Sequence, residues 1–135
     1  MKMLDRSQEI DFQEIHMPKF LVPKTIRLAN SIEVYVLEGG GQELCRLDMV
    51  FEAGTKVQEK SLQARMCNAM LFEGTANKKG EEIYESLDFY GAYTQLDINS
   101  DRAVVSLYTL NKYFDKVLPI FIDAIKNAAF SEDEF

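Results

Sequence analysis

Imidazole and thiol ligands for a catalytic metal are scarce here: one histidine, His16, and two cysteines, Cys45 and Cys67, in 135 residues. A water-activating zinc site built from two imidazoles and a carboxylate cannot be assembled from a single histidine. His16 sits in the charged N-terminal lead-in and reads as a solvated side chain. Cys67 can ligate zinc as a thiolate, but alone it makes no site. The two cysteines lack metal-type spacing and read as reduced core thiols, with a disulfide as the alternative. Gly39, Gly40 and Gly41 suggest a phosphate cradle, yet no helix opening and no Lys-Ser/Thr pair follows, so a hairpin turn is the better reading. The acidic groups Glu81, Glu82, Glu85 and Glu132, Asp133, Glu134 read as solvated helix starts, where negative charge is favourable. Phe72, Tyr84, Phe89, Tyr90 and Tyr93 read as core aromatics. What remains is Arg65, a cation on a predicted helix that can hold a peptide carboxylate or an acidic loop, or be a surface arginine and nothing more.

The elements that position these residues follow from hydropathy period. Residues 24–28 read as a short edge strand, and Asn30–Ser31 as a turn into a strand over 32–37. Across the glycine run, 44–53 reads as its hairpin partner, with Cys45, Leu47, Met49, Phe51 and Ala53 on one face. Ser61 is the expected N-cap of a helix to about Phe72, with Leu62, Met66, Ala69 and Met70 at helical spacing. A second helix is expected over 80–90, closed by Gly91, and then strands over 92–99 and 102–110 joined at Ser100–Asp101. The last helix, 112–127, has the strongest period, through Phe114, Val117, Leu118, Phe121, Ile122 and Ile125. Pro119 is expected to kink it or split off its first turn. The tail, Phe130–Phe135, reads as the first turn of a helix cut short. This order implies an α+β fold, helices packed on one face of a largely antiparallel sheet.

Bulk properties bound the function. The formal net charge is −7 and the pI about 4.7, which argue against nucleic acid and against an anionic membrane as partners. No apolar run approaches the roughly 18 residues of a membrane span. The opening residues have no apolar h-region or cleavage site, so the cytoplasm is the expected compartment.

Three stretches, in order, resemble the N-terminal half-domain of the insulinase family, which includes pitrilysin and the mitochondrial processing peptidases. Leu28-x-Asn30-Ser31-Ile32-x-Val34 resembles the opening L-x-N-G-L-x-V, with serine for glycine. Phe51-Glu52-Ala53-Gly54-Thr55 followed by Glu59 resembles the strand end and its G-S-x-x-E turn. Met70-Leu71-Phe72-Glu73-Gly74-Thr75 resembles the specific M-x-F-K-G-T that follows the family's catalytic helix. The resemblance spans about residues 24–135, taken as the first part of a peptidase domain that continues past Phe135, with 1–23 as a lead-in.

The resemblance implies an H-x-x-E-H zinc motif just before M-x-F-K-G-T. Here those five positions read Arg65, Met66, Cys67, Asn68, Ala69. Arg65 repels a dication, Ala69 has no donor atom, and the Asn68 amide is no base near neutral pH. The expectation is therefore a non-catalytic homologue with no cofactor of its own, zinc belonging only to an active partner. The family works as paired halves around a chamber, which implies a homologous zinc-bearing subunit or self-association. It also implies an edge strand for extended peptide at Thr94, Gln95, Leu96, Asp97 and Ile98. Gln95, Leu96 and Ile98 depart from the family's asparagine, alanine and threonine, and leucine for alanine would crowd the strand. An ordinary sheet strand is the alternative for that segment, and a stand-alone binding scaffold is the alternative for the protein.

Overall fold

A computed structural model describes residues 14–132. The chain divides into two compact units, one ending at Gly41 and one beginning at Gln42. In the first, β1 (Lys24–Arg27) and β2 (Glu33–Val36) form an antiparallel hairpin with Lys24 opposite Val36 and Arg27 opposite Glu33. Its turn is built by side chain and backbone together. The Ile32 N–H donates to Asn30 Oδ1 at 3.2 Å, and Ser31 takes a left-handed φ of 67°. That φ is the physical reason a glycine suits this position.

The second unit holds β3 (Leu44–Phe51), α1 (Gln63–Ala69), α2 (Gly80–Phe89), β4 (Tyr93–Ile98), β5 (Ala103–Leu110) and α3 (Phe114–Lys126). Its sheet has the order β3-β5-β4, antiparallel throughout. The hairpin expected across the glycine run is therefore corrected: β2 pairs with β1, and β3 pairs with β5, Phe51 opposite Ala103. Alternation along a strand fixes which face is apolar but not which strand lies beside it. Cys45, Leu47 and Met49 are half-buried as expected and their neighbours exposed, but Phe51 and Ala53, expected on the same face, are exposed at the strand end. Burial pushes the Cys45 thiol up, whereas Cys67 is exposed rather than a core thiol, and both are free.

The core lies between the helices and the sheet face carrying Val105 and Leu107, with Phe72, Ile83, Leu87, Val117 and Phe121 filling it. The Phe72 and Phe121 rings meet at 5.9 Å. Tyr90 packs against this core, but Phe89 and Tyr93 are 81% and 57% exposed, so the aromatic group is only partly internal. Helix α2 begins as its acidic start implied, with the Lys79 N–H donating to Glu82 Oε2 at 3.1 Å. Gly91, at φ 62°, ends it. Helix α3 runs unbroken through Pro119, which is exposed. The first turn that splits off is the 3-10 turn Asn111–Tyr113, ahead of the proline. Asp133 and Glu134, with the expected helical tail, lie outside the described residues, and Glu132 is exposed.

Candidate functional site

The site is a helix laid against a strand edge. Helix α1 starts at Leu62, not at Ser61, and Leu62 takes a left-handed φ of 67°. No side chain caps the helix at that residue. Two glutamines organise the approach instead. Gln63 Oε1 accepts from the Glu59 and Lys60 N–H groups at 3.0 and 3.1 Å, and Gln58 Oε1 accepts from Ala64 N–H at 3.4 Å. The helix then tightens into a 3-10 turn, Met70–Phe72, that drives Phe72 into the core. Gly74, at φ 153°, and Thr75 close the segment, the buried Thr75 Oγ1 accepting from the N–H groups of Asn77 and Lys78. The Gly-Thr pair of the third motif thus has a local structural use.

Arg65, Asn68 and Ala69 share one helix face by their spacing of three and four. Arg65 and Ala69 are exposed, and Asn68 is 6% exposed. The expected apolar stripe is corrected here: Leu62 and Ala69 face solvent while the amide of Asn68 is buried. Its burial is compensated, because Asn68 Nδ2 donates to the Asp97 carbonyl on β4 at 3.1 Å. This bond between the helix and the strand is invisible in the sequence, since nothing in the spacing of residues 68 and 97 signals it. Asn68→Ala is expected to cost about 0.5–1.5 kcal/mol, from the lost helix–strand bond, read as a lower urea midpoint.

These residues do not fit zinc. The ligand positions hold a cation and a methyl group, and the base position holds an amide already tied to backbone. Among the described residues no group of three or more His, Cys, Asp or Glu is placed to hold a metal ion.

Strand β4 is an edge of its sheet. The Asn99 N–H donates to the Arg102 carbonyl at 2.9 Å, so by antiparallel alternation Asp97, Gln95 and Tyr93 are the residues bonded to β5. The N–H and C=O groups of Thr94, Leu96 and Ile98 point the other way. Among the described residues, no turn or loop bond reaches them. Their side chains are half-buried on the helix-bearing face, and Leu96 packs against the core instead of crowding the edge. Gln95 and Asp97 lie on the opposite face, joined by Gln95 Nε2 donating to Asp97 Oδ2 at 2.8 Å. Beside them Tyr93 stacks on Tyr108 at 4.5 Å, with the Arg46 guanidinium 5.1 Å from the Tyr108 ring. Burial alone would raise the Asp48 carboxyl, but it is held low, with the Arg46 guanidinium beside it among the causes.

The turn after β4 is pinned by the loop after β3. Gly54, Thr55 and Lys56 donate their N–H groups to the carbonyls of Asp101, Asn99 and Ser100 at 3.2, 3.0 and 2.9 Å. Lys56 Nζ donates to Asp101 Oδ1 at 2.6 Å, which holds that carboxyl below the usual range. On the far flank of α1 lies an apolar cavity of about 340 Å³, lined by Phe51, Ala64, Cys67, Asn68, Leu71 and Ile125 among others.

An α+β half-domain with a helix set against an antiparallel edge strand defines the metallohydrolase half-domain class. The family model "Insulinase (Peptidase family M16)" matches residues 35–135, and the chain belongs to that family. Among solved structures it is similar to a peptidase M16 inactive domain from Pseudomonas fluorescens, at 26% identity and a TM-score of 0.77 over 82% of this chain and 28% of that one. It shares its fold with a protease from Helicobacter pylori, at 21% identity and a TM-score of 0.75, over 85% of this chain and 29% of that one. The chain thus spans under a third of the length of each. No curated protein matches it. No helix among the described residues is long and apolar enough to cross a membrane.

Proposed function

We propose that this chain is the peptide-holding, non-catalytic part of an insulinase-type peptidase, acting with a zinc-bearing partner that performs hydrolysis. The observation that carries the reading is the contrast between the two halves of the site. The metal face is replaced at Arg65, Asn68 and Ala69, while the β4 edge keeps outward backbone groups at Thr94, Leu96 and Ile98. Those groups can accept an extended peptide as a fourth strand, with little demand on its side chains. The Asn68 bond supports the reading by holding β4 against the helix that carries the replaced motif. No water-activating step is assigned to this chain.

The test is hydrogen exchange on the full-length protein with an extended, protease-resistant peptide, followed by cleavage assays with its nearest homologue carrying an intact H-x-x-E-H. The expected result is slowed exchange at Leu96 and Ile98 and faster cleavage by the pair than by the homologue alone. Protection without any effect on the homologue would leave a stand-alone peptide-binding scaffold. Unchanged exchange along β4 would end the peptide-holding reading.

A further inference from the structure

The chain carries 22 acidic and 15 basic side chains, so carboxylates are in excess. The ion pairs of the described residues join Lys24 to Glu38, Arg27 to Glu33, Arg46 to Asp48 and Lys56 to Asp101. Arg65 takes part in none of them, and neither of the cation–ring contacts uses it. Asp97, on β4, lies on the far face of the sheet with the Gln95 amide. The cation is exposed, one helical turn from Asn68, whose amide is 3.1 Å from the β4 backbone. Ala69, on the same face, offers only a methyl group to obstruct approach.

We infer that Arg65 makes the β4 edge selective for extended peptides carrying an acidic side chain. The inference rests on the peptide-holding reading above and names its substrate class. In an added strand every second side chain lies on the helix-bearing face of the sheet. A glutamate or aspartate there, next to the Asn68–Asp97 tie, enters the reach of the Arg65 guanidinium, which pairs with carboxylates in a two-pronged geometry. A lysine at that place meets a like charge. The position that in an active relative would hold a metal ion against the scissile carbonyl thus holds an organic cation against a side chain, a change from chemistry to selection.

The experiment compares three blocked peptides, acetylated and amidated, of identical threonine–valine sequence with a central Glu, Gln or Lys. Binding to the full-length protein is followed by exchange at Leu96 and Ile98 and by titration calorimetry. The Glu peptide should bind about tenfold more tightly than the Gln peptide, about 1.4 kcal/mol, and lose that margin as salt rises. Arg65→Gln should equalise the two, and Arg65→Glu should favour the Lys peptide. Arg65 is exposed, so these variants should keep the wild-type urea midpoint. Equal binding of all three peptides with the β4 amides protected would overturn the selectivity and leave the peptide-holding reading intact. No protection by any peptide would overturn both.

Discussion

Phe121→Ala should lower the unfolding free energy by about 3–5 kcal/mol, the largest effect of any substitution considered. The side chain is fully buried and meets Phe72 at 5.9 Å, at the point where the turn after α1 and the middle of α3 converge on the sheet. Removing the ring deletes transfer free energy and leaves a cavity between rigid elements that close only in part. Since whole domains are stable by roughly 5–15 kcal/mol, the loss should move the urea midpoint by about a fifth of its value or more. Phe121→Leu, which keeps most of the volume, should cost under half as much. A loss of unfolding free energy below about 1 kcal/mol for the alanine variant would mean that this junction is not the centre of the core.

Gly54→Ala should cost about 2–4 kcal/mol, although it adds a single methyl group. The Gly54 backbone φ of −76° is open to any residue, so strain in φ is not the cause. The cause is close approach: a Cβ there falls within 2.5 Å of the Arg102 nitrogen and against the Asp101 backbone, which has no flexible end to move aside. The β4–β5 turn would have to withdraw, and with it the three backbone bonds from Gly54, Thr55 and Lys56. Each is worth about 0.5–1.5 kcal/mol net. Gly41→Ala, where the added carbon meets nothing within 4 Å, is the control and should be near neutral. Equal stabilities for the two variants would refute the close-approach account.

Much of the fold was legible because each strong signal was local. The 3.6-residue stripe of α3 and the Gly91 stop of α2 needed no tertiary information, and Gly74–Thr75 likewise marked the end of the segment that follows α1. What could not be read was pairing between distant segments. Alternation told which side of β3 is apolar but left its neighbour open, so β5 replaced the expected β2. The start of α1 was misread because Ser61 is a good cap in general, while here the side chains of Gln58 and Gln63 serve the approach. At the site, the composition of positions 65, 68 and 69 was enough to set zinc aside. The use Asn68 makes of its amide depends on a strand almost thirty residues away, and no spacing rule reports that.

The open row of backbone groups on β4 has a colloidal consequence as well. Among the described residues no backbone partner takes the outward groups of Thr94, Leu96 and Ile98, which are open to an extended chain, including one from a neighbouring molecule. No lysine or proline interrupts the strand to discourage such templating. What keeps separate molecules apart at neutral pH is the net charge of −7, and that repulsion disappears near the isoelectric point of about 4.7. Mild acid, by removing that repulsion, is therefore expected to favour association along this strand, and handling above pH 7 to oppose it.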